Sequence, residues 1–122
     1  MLKDIFFSIT NQTNVSDNQT DFTLRLNGEH AIYAAHFPNN PITPGVCLIQ
    51  IAKELFSFLR QTDCQIRKVK TAKFSHPLIP TVHAAVKYSL TWEETVDRKS
   101  YQVQVKIYAE DIVFARINME LI

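Results

Sequence analysis

The sequence predicts an α+β fold in which one long central helix is wrapped by a curved antiparallel sheet of about five to seven strands. One observation is a segment, residues 44–60, whose apolar side chains crowd nearly the whole circumference of a helix. The other is the second half of the chain, which has no comparable helix and instead alternates apolar and polar residues. The 122 residues are expected to form one domain, residues 1–122, with room for a sizeable core.

Two strands are expected before the helix. Residues 4–9 are rich in apolar side chains, and residues 22–26 alternate with a period of two. The stretch between them, residues 11–21, is rich in Asn, Ser, Thr, Gln and Asp, which favour turns, so we expect a hairpin loop there. Asn27 and Gly28 then turn the chain.

The helix is expected to run from Pro44 to about Arg60. Proline suits the first turn because its missing N–H would have no partner there, and Thr43 is positioned as an N-cap. The apolar residues on nearly every side predict a buried helix. After it, four stretches alternate apolar residues and predict three or four long strands in an antiparallel meander: residues 66–74, 82–90, 101–107 and 112–119.

Composition excludes several classes of function. A formal net charge of +1 gives no global attraction to nucleic acid or membrane, so neither is expected as a partner. No apolar run reaches the ~18 residues of a membrane span, and residues 1–4 lack the apolar block of a secretory signal. Two cysteines, Cys47 and Cys64, are too few for a disulfide framework and indicate thiols in a reducing compartment, so we expect a cytoplasmic protein.

The segment before the helix carries the most specific signal. Prolines at positions 38, 41 and 44 make it rigid, and it enters the helix through Gly45. The unpaired N–H groups of Gly45 and Val46 at the helix N-terminus suit a carbonyl oxygen or an oxyanion. Glycine lets a ligand approach the backbone closely. At the other end of the segment, His36 supplies a group that exchanges protons near neutral pH.

From His36 to Val46 the pattern His-Phe-Pro-x-x-Pro-x-x-Pro-Gly-Val resembles the signature of the bacterial 3-hydroxyacyl-acyl-carrier-protein dehydratases of fatty-acid synthesis. It also resembles the signature of their relatives in aryl-polyene and related pigment pathways. Residues 71–80, Thr-Ala-Lys-Phe-Ser-His-Pro-Leu-Ile-Pro, are similar to the strand that follows the helix in that family. The resemblance covers most of the chain from about Phe22 onward.

This resemblance implies a hot-dog fold and an obligate dimer with active sites at the subunit interface, either a homodimer or a heterodimer with a paralogous subunit. The implied substrate is an acyl-carrier-protein thioester that enters an apolar tunnel, and no cofactor or metal is expected. His36 matches the catalytic base that removes the C2 proton, and Gly45 matches the glycine whose N–H polarises the thioester carbonyl. The residues expected to bind substrate are Phe37, Pro44, Val46 and Phe74.

The sequence departs from the family at its second catalytic residue. That residue is a Glu or Asp fourteen positions after the histidine, where it helps the C3 hydroxyl leave, but here the position holds Gln50. Glutamine forms hydrogen bonds but releases no proton, so Gln50 would assist only by hydrogen bonding. Loss of a positioned acid typically costs on the order of 10²–10⁴ in rate, which makes unaided dehydration an open question.

Several alternatives stay open. Glu54 lies one turn beyond Gln50 and would bring a carboxyl group to the site, although that turn displaces it by ~5.4 Å. More simply, Glu54 would face solvent or pair with Lys53 or Arg60. A paralogous partner would supply the acid in a heterodimer, or this chain would be a non-catalytic acyl-binding or structural subunit. A thioesterase on the same fold is a further alternative, which the missing carboxylate disfavours as well.

Other residues have structural interpretations beside the functional ones. Cys47 lies in the first helical turn, where the dipole lowers a thiol pKa, but its apolar neighbours predict a small core residue. His76, next to Pro77, is predicted at the surface or rim of the site. A cluster of basic residues is either a docking patch for an acidic carrier protein or the solvated face of a strand: Arg60, Arg67, Lys68, Lys70 and Lys73.

Overall fold

The computed structural model describes residues 1–35, 39 and 41–122. Within these residues a short helix, α1 (Ala31–Ala35), precedes the long helix α2 (Gly45–Arg60), which packs against one antiparallel sheet. The sheet has six strands: β1 (Phe7–Ser16), β2 (Gln19–Leu26), β3 (Ile66–Phe74), β4 (Ala85–Glu94), β5 (Tyr101–Ala109) and β6 (Ile112–Leu121). No helix in this part of the chain is long and apolar enough to cross a membrane.

The sheet order is β1-β2-β4-β5-β6-β3, with every neighbouring pair antiparallel. The predicted meander is confirmed for β4, β5 and β6, which are adjacent in sequence and in space. β3 leaves the meander because it pairs with β6 instead of β4. As a result β1 and β3 are the two edges of the sheet, and β3 lies at the far side of β6.

The prediction of a hairpin loop over residues 11–21 is wrong. β1 continues through Ser16 and β2 begins at Gln19, so only Asp17 and Asn18 form the turn. The polar composition misled because β1 is an edge strand whose side chains beyond Ile9 are exposed to solvent. Backbone pairing with β2 therefore holds this strand without any apolar alternation.

The core lies between α2 and the sheet. On the helix, Ile51, Leu55 and Phe56 are fully buried, which confirms the prediction of burial for this face. Phe56 packs edge-on against Trp92 of β4 and Tyr101 of β5. Elsewhere on α2, the apolar side chains of Val46 and Phe58 are exposed.

Candidate active site

A cavity of about 610 Å³ opens at the N-terminal end of α2. One wall is formed by residues 42–46 with Leu48 and Ile49, and the other by residues 74–78 at the end of β3. The structure therefore brings together four of the residues predicted for the site: Pro44, Gly45, Val46 and Phe74. His36 and Phe37, the predicted base and a predicted substrate contact, lie outside the described residues.

The helix begins one residue later than predicted, and its cap is Pro44. This residue has extended backbone angles, φ −62° and ψ 143°, and its carbonyl accepts from the N–H groups of Cys47 and Leu48 at 3.0 and 3.2 Å. Thr43 is not the N-cap, because its hydroxyl is hydrogen-bonded to the Tyr33 hydroxyl at 2.9 Å. Proline caps without a side-chain hydrogen bond here, so further N–H groups of the first turn have no capping oxygen.

The segment that leads into α2 is held from both sides. The buried Thr43 accepts or donates a hydrogen bond with Tyr33 of α1, and its N–H donates to the Leu78 carbonyl at 2.8 Å. Burial raises the pKa of the Tyr33 phenol to about 12, so it stays protonated in this contact at neutral pH. On the helix itself, the buried Tyr88 hydroxyl donates to the Leu48 carbonyl at 3.1 Å. These contacts fix the position of the Gly45 backbone.

Gly45 allows the Phe74 ring to pack closely against the helix start, and any larger residue would require that ring to move. A Cβ atom at this position would lie 2.9 Å from Cζ of Phe74 and 3.1 Å from its Cε1. The Phe74 ring therefore rests directly on the Gly45 backbone at the cavity wall. Within the described residues, the N–H groups of Gly45 and Val46 donate to no acceptor, as expected for the first turn of a helix. This wall is suited to receive a carbonyl oxygen.

Gln50 does not line the cavity. Its Nε2 donates to Oε2 of Glu54 at 2.8 Å, one turn further along α2. Glu54 is only 4% exposed, and its carboxylate also accepts from the backbone N–H groups of Leu2 and Lys3 at 2.8–2.9 Å. We call these four residues the Glu54 clamp. It anchors the N-terminal segment on the helix, and it engages both carboxylate oxygens in structural hydrogen bonds.

The simple expectations for Glu54 are accordingly wrong. It neither faces solvent nor pairs with the two basic residues near it in sequence. Lys53 is 3.6 Å from the Asp63 carboxylate, and Arg60 donates to the Tyr101 hydroxyl at 2.7 Å. Sequence reasoning missed the clamp because it joins Gln50 and Glu54, four residues apart on the helix, to backbone N–H groups about fifty residues earlier in the chain. No local sequence pattern connects these two segments.

His76 lies at the rim of the cavity, as predicted, and is exposed. Its Nδ1 is 2.9 Å from the Pro77 carbonyl oxygen, which accepts this hydrogen bond when Nδ1 carries a proton. The ring also packs edge-on against His83 and Phe114. Among the side chains that the structure describes, no group of three or more His, Cys, Asp and Glu residues is placed to hold a metal ion.

Cys47 is a core residue. It is buried, and burial raises the pKa of its thiol. A raised pKa lowers the thiolate fraction at a given pH, and the thiolate is the reactive form.

We therefore expect iodoacetamide at neutral pH to modify Cys47 more than about tenfold more slowly in the native protein than in guanidinium chloride. Peptide mass spectrometry measures both rates, with the buried Cys64 as an internal comparison; fast native labelling at Cys47 alone would contradict this assignment.

Comparison with known proteins decides the family. The family model described as ApeI-like, ApeI dehydratase, matches residues 11–114, most of the chain. This chain belongs to the ApeI-like dehydratase family. The match includes the cavity walls, α2 and four complete strands of the sheet, β2 to β5, so the resemblance read from the motif at His36 to Val46 is confirmed at the level of the family.

Solved structures agree with the fold of this ApeI-like protein. A chain of the dehydratase heterocomplex ApeI:P from Xenorhabdus doucetiae is 18% identical, with a TM-score of 0.73 over 93% of this chain and 95% of that one. An uncharacterised protein from Erwinia carotovora subsp. atroseptica is 17% identical, with a TM-score of 0.67 over 93% and 91% of the two chains. Comparison with curated proteins gives no match.

Proposed function

We propose that this ApeI-like protein is a subunit of a dehydratase that removes water from 3-hydroxyacyl-carrier-protein thioesters in fatty-acid or polyene synthesis. The product is the trans-2-enoyl thioester. The observation that carries the proposal is the cavity at the start of α2, where the N–H groups of Gly45 and Val46 stand at a wall shaped by Phe74. We place the reaction in the cytoplasm, since both cysteines are free thiols.

The chemistry follows from this wall and from the motif. The thioester carbonyl oxygen accepts a hydrogen bond from the Gly45 N–H, and the positive end of the helix dipole stabilises the enolate that forms. His36 takes the C2 proton as general base. The electron pair of the C2–H bond then forms the C2–C3 double bond, and the C3 hydroxyl leaves as water once it has received a proton. That last proton requires an acid.

A second subunit is the proposed source of the acid. Gln50 releases no proton, and its amide is already used by Glu54. The isolated chain also exposes an apolar surface at the junction of α2 and β3, where Val46 is 74% exposed, Phe74 50% and Val69 38%. Such a surface calls for a covering partner. We propose that a second hot-dog subunit covers this surface and supplies the acid; the ApeI:P neighbour is itself a heterocomplex.

The test is an assay of defined assemblies. The chain is purified alone and after co-expression with a hot-dog subunit encoded near it, and each sample is incubated with a 3-hydroxyacyl-carrier protein. We expect the assembly to form the enoyl thioester, detected by mass spectrometry, and the chain alone to form much less because it lacks the acid. An assembly that gives no product would contradict the proposed reaction.

A second candidate function is that of a non-catalytic subunit that supports an active partner. The Glu54 clamp favours it. Gln50 occupies the position of the family's acid and Glu54 is the carboxylate one turn further, and both side chains are engaged in structural hydrogen bonds. His36→Ala in the assembly separates the two, with His83→Ala as the matched histidine control outside the cavity. Loss of product with His36→Ala alone supports catalysis by this chain, and unchanged turnover supports the non-catalytic role.

A further inference from the structure

The free edge of the sheet at β3 carries charge of a single sign. Four of its nine residues are basic, namely Arg67, Lys68, Lys70 and Lys73, and none is acidic. Between Asp63 and Glu93 the chain contains no carboxylate side chain at all. All β3 residues beyond Ile66 are exposed. The edge is therefore a strip of positive charge with no negative side chain of its own.

The neighbouring strands do little to neutralise this strip. Glu120 of β6 forms an ion pair with Arg67 at 3.2 Å and also accepts from Gln102 at 2.8 Å, so its carboxylate is engaged. Further along, Lys73 pairs in register with Arg116, which in turn pairs with Lys106 of β5. These three basic residues form a row across the outer face of the sheet. The excess positive charge is thus concentrated in the second half of β3.

Lysines and bulges on an edge strand often serve only to prevent pairing, and β3 has both, with register shifts at Arg67 and Lys70. Prevention of edge-to-edge pairing does not explain the side chains on the inner face of β3. Val69, Ala72 and Phe74 lie opposite the buried Met119, Ile117 and Ala115 of β6, and so they point to the core side, yet they are exposed. Exposed apolar side chains on the inner face indicate that β3 is covered by a partner in the assembled protein. The lysines then restrict which strands can pair with this edge.

A second copy of this chain is a poor partner for β3. Two-fold pairing of identical strands places the same patch against itself, and it would bring together six lysine side chains, three from each strand, in addition to the two arginines that are already paired with Glu120. Like charges that face each other across strands are destabilising, and opposite charges are favourable.

We propose that β3 selects a different subunit, a hot-dog partner whose edge strand carries Asp or Glu side chains, over a second copy of this chain. This inference rests on the proposed function only in taking the partner to be a second hot-dog subunit. The basic side chains of β3 then determine which subunit binds, and the exposed apolar residues on the inner face of the strand supply most of the area buried in the interface.

The test needs only this chain and a charge-reversed variant of it, Lys68→Glu, Lys70→Glu and Lys73→Glu together. Native mass spectrometry and sedimentation measure self-association of each protein and of an equimolar mixture. We expect the mixed dimer to be at least about tenfold tighter than the wild-type dimer at low salt, and this difference to shrink as salt screens the charges. A matched control reverses three exposed basic residues away from the edge, Arg25, Lys87 and Lys99, and is expected to mix with the wild type without preference.

A second variant covers the case in which the charge-reversed protein does not fold. Lys68→Gln, Lys70→Gln and Lys73→Gln together remove the repulsion without adding carboxylates, and this protein is expected to form a tighter homodimer than the wild type. A wild-type homodimer as tight as the mixed one, and insensitive to salt, would overturn the proposal. Because no turnover is measured, this outcome is independent of whether the chain takes part in dehydration.

Discussion

Gly45→Ala is expected to lower kcat/KM of the assembled dehydratase by about 10²–10³ while the protein stays folded. The added Cβ would lie 2.9 Å from Phe74 Cζ, in the space where the proposed function has a thioester carbonyl approach the Gly45 N–H. Phe74 is half exposed, so its ring can swing aside, and the free energy of unfolding should fall by about 1 kcal/mol or less. Steady-state kinetics with a 3-hydroxyacyl-carrier protein and urea unfolding measure the two effects separately.

The chain contains a matched control for this substitution. At Gly28, the other glycine, a new Cβ would meet only Pro80 at an ordinary 3.5 Å, so Gly28→Ala should leave kcat/KM unchanged. Adding Phe74→Leu to Gly45→Ala tests whether the crowded ring is the cause, since part of the lost activity should return. If Gly45→Ala keeps full activity, the thioester is not held at this wall.

Glu54→Ala is expected to lower the free energy of unfolding by about 2–4 kcal/mol. The substitution removes a buried carboxylate that accepts from the N–H groups of Leu2 and Lys3 and from the Gln50 amide. Hydrogen bonds to charged groups are the strong ones, and their donors are left partly buried without a partner. Urea unfolding followed by circular dichroism measures the loss.

Glu29→Ala serves as the matched control, because Glu29 is exposed and only its backbone N–H is hydrogen-bonded, to the Asn27 side chain. It should change the free energy of unfolding by less than about 0.5 kcal/mol. Glu54→Gln should fall between the two, since it keeps one acceptor oxygen. A loss below about 1 kcal/mol for Glu54→Ala would show that the clamp does not stabilise the fold.

Much of the fold followed from periodicity, because buried faces impose it. The crowded apolar residues of α2 and the alternation in β5 and β6 come from contact with one core, so their bounds were predicted to within two residues, whereas β4 lies three to four residues beyond the predicted 82–90. β1 escaped this reasoning because an exposed edge strand is held by its backbone and tolerates any polar side chain. The position of β3 beside β6 is a long-range choice that no local spacing records.

The candidate site divides in the same way. Pro44, Gly45 and Val46 are contiguous, so a motif reveals them together, and Phe74 joined them through the resemblance of its strand to the family. The supports of this wall were missed. The start of the helix is held by hydrogen bonds between distant elements, which involve Tyr33, Thr43 and Tyr88. Tyr and Thr side chains also occur in ordinary cores, so their presence in the sequence does not indicate this role.

The Glu54 clamp makes position 50 epistatic with the N-terminus of the chain. A carboxylate at position 50 would stand one turn from a carboxylate that is already buried, and two such groups resist being ionised together. It would also lack the N–H that Glu54 now receives from Gln50. Replacing Gln50 by an acid in a single substitution would therefore weaken the hydrogen bonds that anchor the first residues. A series of substitutions that places an acid at position 50 would also have to change how the N-terminal segment is attached.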